Sequence, residues 1–193
     1  ISPVNIIKEL KKKNIPVITF SSEYVFNGKK GNYTEQSQKS PNTKYGLQKS
    51  QLEDFLIDFY EKTTIFRISK IASLSHKKSF FYKMLNEMKT NEIYSAAIDQ
   101  FFTPINIEDC GAIILKTIKA EEYGLINLCG MQNYSRYSLA LALKDNLKIN
   151  TKIKKCSISD INLTYEVPPN LTMSCEKLKN KFKFTPSKLK FFE

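Results

Sequence analysis

Apolar residues follow two different spacings along the first two thirds of the chain, one typical of helices and one typical of buried strands. The helical spacing predicts helices over residues 3–13, 44–61, 80–88, 109–119 and 135–147. Short apolar runs predict strands over residues 16–20, 63–68, 92–97 and 125–128, and the tail is strand-like at 152–158 and helical after Ser174. This alternation predicts an α/β fold with a parallel sheet.

The segments between these elements carry signals of their own. A loop rich in Gly, Asn, Ser and Pro covers residues 21–43, and Phe101-Phe102 is predicted to form an aromatic turn. Ser135 is placed to cap the helix that follows it. The stripe of Phe and Met residues over 80–88 has the spacing that packing requires, so we interpret it as core.

Length and charge exclude several classes of protein. The chain has 193 residues, 41% of them hydrophobic, and a formal net charge of +11. Only two of its 30 basic residues, Arg67 and Arg136, are arginines, which favours a solvated lysine surface over a nucleic-acid site. The longest apolar run is too short to span a membrane, and no signal peptide precedes Pro3, so we expect a cytoplasmic protein.

The four cysteines do not indicate a metal site. Cys110, Cys129, Cys156 and Cys175 form no C-x-x-C pair, and His76 is the only histidine. We expect reduced thiols, with Cys110 and Cys129 in the core because both occur in apolar sequence contexts.

One pattern points to chemistry, a Y-x-x-x-K formed by Tyr45 and Lys49 at the start of a predicted helix. This spacing puts both side chains on one face of the helix, where the ammonium would let the phenol act as an acid or base near neutral pH. A Y-x-x-x-K spacing alone arises easily by chance in a chain with so many lysines. The sequence around it makes the motif more specific. A buried strand ending in Ser21-Ser22 precedes it, and a serine there could hydrogen-bond a substrate carbonyl.

These residues resemble the extended short-chain dehydrogenase/reductase superfamily, and within it the dTDP-4-dehydrorhamnose reductase family most closely. Residues 21–28, S-S-E-Y-V-F-N-G, are similar to that family's S-T-D-Y-V-F-x-G, and residues 41–49 match its P-x-x-x-Y-G-x-x-K. Weaker similarities follow in order at residues 33–35, 66–69, 99–104 and 127–130, so the resemblance covers nearly the whole chain.

The resemblance implies a site and a reaction. Ser22, Tyr45 and Lys49 would be catalytic; Ser21, Tyr45 and Lys49 would bind NADPH or NADH; and Glu23, Tyr24, Val25 and Gln100 would bind a nucleotide-sugar substrate. The implied reaction is reduction of a 4-keto nucleotide sugar for surface polysaccharides, with Tyr45 as proton donor. It also implies the C-terminal part of a Rossmann-type parallel sheet over residues 1–75. A smaller substrate-binding lobe would cover 76–193, with about 105–130 returning to the sheet.

Besides Ser22 and Glu23, which stand where the family has Thr and Asp, the chain departs from the family pattern at three places. Lys70 stands where the family has a Trp, which would remove a surface for stacking on the substrate. Residues 167–171 resemble the family's R-P-x-N-S without its Arg or Ser. The six glycines form no G-x-x-G-x-x-G turn, and the chain starts at Ile1, so we expect a piece of a longer protein.

Other functions stay open at this point. A non-catalytic or truncated member of the family could act as a binding or regulatory subunit. A related sugar-nucleotide epimerase or dehydratase is a smaller alternative, because the dehydratases carry a second acid where this chain has Tyr24. We expect no nucleic-acid or membrane partner, and a homodimer is left open.

Overall fold

A computed structural model describes residues 3–162 and 167–191, so Ile1 and the outer bounds of the two predicted lobes lie outside the described residues. The helices are α1 (Pro3–Lys12), α2 (Lys44–Phe59), α3 (Phe80–Thr90), α4 (Ile107–Lys119), α5 (Arg136–Leu147) and α6 (Glu176–Phe182). The strands are β1 (Val17–Ser22), β2 (Thr63–Ile68), β3 (Ile71–Ala72), β4 (Ile93–Ala97), β5 (Phe101–Phe102), β6 (Ile105–Asn106), β7 (Gly124–Leu128), β8 (Tyr134–Ser135) and β9 (Lys152–Cys156).

The main sheet is parallel, with the strand order β1-β2-β7. Its two faces are covered by different helices. Ile65 packs with Ile7 of α1 and Leu56 of α2 on one face, while Phe66 belongs to a larger core that includes residues of α4 and α6. Because both faces are covered, the residues of β2 are buried in succession instead of alternately, and the sequence predicted a buried strand here.

A second core lies around the parallel pair β4–β9. It contains the Phe and Met stripe of α3, whose members Phe81, Met84 and Met88 are almost completely buried. The interpretation of that stripe as core is therefore confirmed. Ser135 caps α5 as predicted, since its side chain accepts a hydrogen bond from the backbone N–H of Ser138 at 3.0 Å.

The predicted aromatic turn at Phe101-Phe102 is wrong. These two residues form β5, which pairs antiparallel with Tyr134 and Ser135 of β8. A ladder of two residues is too short to show a period of two in the sequence. The strand predicted over 152–158 ends earlier, at Cys156, because Ser157 caps a 3₁₀ turn over Ile158–Asp160.

A buried ion pair fixes the long loop before α2. Arg67 of β2 is 1% exposed and donates from Nη2 to Glu53 Oε2 at 2.8 Å. The Nη1 group of Arg67 also donates to the backbone carbonyl of Glu35 at 3.2 Å, and the Glu35 side chain accepts from the N–H of Asn127. The loop is therefore tied to β2 and β7, and Arg67 is occupied in the interior.

The state of the cysteines and the lengths of the helices can be compared with the expectations from the sequence. All four cysteines are free thiols, and Cys110 and Cys129 lie in the core as predicted. Across the described ranges, every helix falls short of the length and apolarity that a bilayer crossing would need.

Candidate active site

The carboxyl end of β1 leads directly into a 3₁₀ turn over Glu23–Val25. The side chain of Ser22 begins that turn by accepting a hydrogen bond from the N–H of Tyr24 at 3.3 Å. The neighbouring Ser21 has a buried Oγ with no hydrogen-bond partner among the described residues. Two hydroxyl groups are thus held at the tip of a rigid strand, as the sequence predicted for this position.

Helix α2 begins beside this turn. Thr43 caps it by accepting from the N–H of Gly46 at 3.0 Å, so Tyr45 lies in the first helical turn. The ring of Tyr45 meets the ring of Tyr24 edge-on, with 6.0 Å between centroids and an interplanar angle of 74°. The Tyr45 side chain is 50% exposed, which leaves its phenol accessible to a ligand.

Lys49 lies one helical turn after Tyr45 and points back to β1. Its Nζ donates to the backbone carbonyl of Phe20 at 2.9 Å and lies 5.8 Å from the centroid of the Tyr45 ring. Hydroxyl, phenol and ammonium groups therefore lie around the end of one strand. The structure places Ser22, Tyr45 and Lys49 in one region, and their catalytic roles stay a prediction.

Glu23, predicted to bind substrate, is held in an ionic cluster. Its side chain is 1% exposed, Oε2 accepts from Ser69 Oγ at 2.6 Å, and Oε1 lies 3.0 Å from Lys70 Nζ. The Lys70 ammonium also lies 4.8 Å from the centroid of the Tyr24 ring. The residue that replaces the family's Trp is thus the ion-pair partner of the acid that begins the 3₁₀ turn. In the sequence, the only signal at Lys70 was that it replaces the family's Trp.

A cavity of about 190 Å³ opens beside this cluster. Tyr24, Lys70, Phe80, Gln100 and Arg136 are among its lining residues. Lys70 itself offers no ring to the cavity, but the rings of Tyr24 and Phe80 also line it. Arg136, which the sequence did not mark as a site residue, enters it from the first turn of α5.

Two further predicted positions differ in their access to this cavity. Gln100 is buried but lines the cavity and accepts from Arg136 Nη1 at 3.4 Å. Val25 is completely buried in the core of the main sheet, which leaves its side chain no surface for contact with a substrate. A valine that follows a predicted site residue such as Tyr24 carries no sequence signal that distinguishes packing in the core from contact with a substrate.

Asp99, the neighbour of Gln100, is also engaged. Partial burial favours its neutral form, but hydrogen bonds from Ser157 Oγ at 2.5 Å and from the N–H of Ile158 at 2.7 Å outweigh that effect. The pKa of Asp99 is therefore lowered from its ordinary value. Its carboxylate anchors the segment after β9 instead of facing the cavity.

Comparison with known proteins assigns a family to this arrangement. A family model described as the RmlD substrate binding domain matches residues 1–190. A dTDP-4-dehydrorhamnose reductase of Sinorhizobium fredii is 26% identical over 180 residues, which are 87% of this chain and 60% of that protein.

Solved structures show the same fold. A dTDP-4-dehydrorhamnose reductase of Clostridium acetobutylicum has a TM-score of 0.86 at 23% identity, over 92% of this chain and 63% of that one. A Bacillus anthracis dTDP-4-dehydrorhamnose reductase in complex with NADP has a TM-score of 0.80 at 22% identity, over 86% and 59%. The chain thus spans about three fifths of the length of these relatives.

Proposed function

Because the chain belongs to the RmlD substrate binding domain family, we propose that it carries the proton donor and the sugar-binding cavity of an NAD(P)H-dependent reductase of 4-keto nucleotide sugars. The observation that supports this most is the position of Tyr45, which is half exposed. Its ring lies 5.8 Å from the ammonium of Lys49 and edge-on to Tyr24, in the turn that Ser22 begins. The whole reaction also needs a dinucleotide-binding turn, a feature that residues 1–193 do not contain.

The residues at the strand end fit a nicotinamide nucleotide. The buried Oγ of Ser21 has no described partner, and Lys49 Nζ uses one of its three N–H groups on the Phe20 carbonyl. We therefore assign Ser21, Tyr45 and Lys49 to cofactor binding, with Lys49 and Tyr45 toward a ribose hydroxyl. When bound, the reduced nicotinamide supplies the hydride that is added to the ketone carbon.

The chain's own residues would complete that reduction. Ser22 Oγ accepts from the Tyr24 N–H, so its hydroxyl proton can be donated to the carbonyl oxygen of the substrate. Tyr45 gives its phenolic proton to the same oxygen as the hydride reaches carbon, and Lys49 stabilises the phenolate that remains. The substrate ketone would thereby become an alcohol.

The sugar would occupy the cavity beside Tyr24. Tyr24 and Gln100 line it, and Glu23 acts on it through its ion pair with Lys70. The division into lobes at residue 75, the cytoplasmic location, the role in polysaccharide synthesis and a homodimer accompany this proposal as predictions.

A non-catalytic member of the family is the second candidate. Lys70 favours it, since an ammonium replaces an aromatic residue of the family beside the substrate cavity. A binding or regulatory subunit would keep this fold and bind a sugar nucleotide or a partner protein without turnover.

Isotope transfer separates these candidates. The protein in its natural full length is incubated with a dTDP-4-keto-6-deoxyhexose and NADPH or NADH deuterated at the transferred position. The proposal predicts deuterium on C4 of the sugar and one oxidised cofactor per product. An epimerase or dehydratase would leave the cofactor unconsumed, and a non-catalytic subunit would leave the sugar unchanged; either outcome contradicts the proposal.

A further inference from the structure

A second and larger cavity lies in the loop between β1 and α2. Its volume is about 520 Å³, and residues of the single stretch 27–40 line it. This volume is within the range of small-molecule sites, which is about 300–1,000 Å³. It shares no lining residue with the cavity beside Tyr24, so a ligand bound here would be separate from the proposed substrate.

The wall of this loop cavity is fixed by contacts with a distant segment of the chain. The backbone N–H of Tyr33 donates to the carbonyl of Thr172 at 2.9 Å, and the N–H of Asn32 donates to Thr172 Oγ1 at 2.7 Å. The Tyr33 side chain is 5% exposed, and its ring stacks on that of Phe26 with 4.1 Å between centroids. The cavity is therefore built on an anchored loop.

The amide of Asn27 is oriented with its donors free. Its Oδ1 accepts from the phenol of Tyr33 at 3.2 Å and from the backbone N–H of Lys29 at 3.0 Å. With the oxygen occupied in this way, the two N–H donors of Nδ2 have no partner among the described residues and are left for a ligand.

Two ammonium groups also line the cavity. Lys29 and Lys30 are adjacent and exposed, and within residues 3–162 and 167–191 neither ammonium has a hydrogen bond or an ion pair. Each carries three N–H donors and no acceptor. Together with the Asn27 amide, they make a lining rich in donors.

The acids of this loop and its neighbourhood are engaged elsewhere. The Glu35 carboxylate accepts from the backbone N–H of Asn127 at 2.9 Å. The Lys39 ammonium points away from the cavity and pairs with Asp54 at 2.7 Å. Among the described residues, no carboxylate lines the cavity, so the charges of Lys29 and Lys30 are not opposed there.

We propose that this loop cavity binds a sugar phosphate. Phosphoryl oxygens are acceptors only, and charge-assisted hydrogen bonds from ammonium groups are the strong ones, so the phosphoryl group would lie against Lys29 and Lys30. The remaining lining suits sugar hydroxyls, since the Gln38 amide and the Ser40 hydroxyl each donate and accept. The inference is independent of the proposed function, because it uses none of the residues assigned to the reduction.

Calorimetric titration of the full-length protein tests this site. The probes are glucose 1-phosphate, glucose and inorganic phosphate. One variant combines Lys29→Gln with Lys30→Gln and removes both charges, and a second, Ser40→Phe, fills the cavity without changing the charge. The loop is exposed at these three positions, so the variants should fold.

Two control variants locate the binding. Lys77→Gln with Lys78→Gln is the matched control, since it removes an equally exposed pair of adjacent lysines before α3 that does not line the cavity. Arg136→Gln reports on the cavity beside Tyr24, which Arg136 lines.

We expect the unaltered protein to bind glucose 1-phosphate, and to bind glucose and inorganic phosphate at least about tenfold more weakly. Both loop variants should also lose about tenfold or more in affinity for glucose 1-phosphate, the loss typical of a charge-assisted contact, while both controls keep it.

Three results would overturn the site. They are the absence of glucose 1-phosphate binding by the unaltered protein, equal affinity in the variant without Lys29 and Lys30, and a loss caused by Arg136→Gln alone. Inorganic phosphate that binds as tightly as glucose 1-phosphate would contradict the assignment to a sugar phosphate. Deuterium transfer to the keto sugar is a separate readout, so failure of the reductase proposal leaves these outcomes unchanged.

Discussion

The α-carbon of Gly46 faces the backbone carbonyl oxygen of Tyr24 at a distance that leaves no room for a Cβ atom. Gly46 follows Tyr45 in helix α2, and Tyr24 lies in the 3₁₀ turn after β1. The glycine therefore allows the helix that carries the proposed proton donor to approach the strand tip that carries Ser22. The close approach gives the glycine of the Y-G-x-x-K sequence a structural purpose.

We predict that Gly46→Ala lowers the free energy of unfolding by about 2 kcal/mol, because the new methyl group meets backbone instead of a movable side chain. Gly111→Ala in α4 is the matched control, since nothing lies within 4 Å of an added Cβ there. Helix propensity should make that variant more stable by up to about 1 kcal/mol. Urea denaturation of both proteins measures the difference, and equal stability of the two variants would refute the close approach.

The buried pair of Arg67 and Glu53 predicts a strong asymmetry between single and double variants. Arg67→Met leaves Glu53 with Lys39 at 3.4 Å as its remaining cation, and we expect a loss of about 3 kcal/mol. Arg67→Met with Glu53→Leu should recover most of that loss, since no buried charge is left. Glu9→Gln, in an exposed pair with Lys12, should cost less than about 1 kcal/mol. Additive effects in the double variant would contradict this account.

The thiol of Cys110 predicts a loss of stability in alkali. Burial, helped by the charge of Asp109, raises its pKa from 9.0 to about 12. The unfolded chain gives up this proton at lower pH than the folded one, so the contribution is complete below about pH 9 and is lost as pH rises toward 12.

Denaturation of Cys110→Ala and of the unaltered protein from about pH 8 to 11 measures this contribution. The stability of Cys110→Ala should fall less steeply with pH, whereas Gly111→Ala, in the same helix, should keep the original slope. Parallel slopes for Cys110→Ala and the unaltered protein would show that this thiol does not contribute.

The longer helices and strands could be predicted because the spacing of their apolar residues repeats several times along each element. Strand β2 has the predicted bounds, and α2 begins at the predicted residue. A short run rich in β-branched and aromatic residues marks the strand, and a stripe of apolar residues marks the helix. The two-residue strands could not be found, as Phe101-Phe102 shows. Their pairing is decided by tertiary contacts with residues more than thirty positions away.

The candidate site also contains residues whose positions the sequence could predict and residues whose positions it could not. The position of Tyr45 and Lys49 follows from helical spacing and could be predicted locally. The engagement of Glu23 by Ser69 and Lys70 joins residues on two different strand ends, and nothing local predicts it. Arg136 directly follows the predicted helix cap Ser135 in the sequence. Its position in the lining of the cavity depends on how α5 packs, which the sequence does not show.

The turnover number of Tyr45→Phe in the full-length protein, with a 4-keto nucleotide sugar and NADPH, tests the central claim most directly. Loss of the phenolic proton should lower kcat by about 100-fold or more, with KM for the sugar nucleotide changed by less than about threefold. Tyr123→Phe, a tyrosine in the loop before β7, is the control and should keep the original kcat. A Tyr45→Phe protein that turns over as fast as the unaltered one would contradict the account.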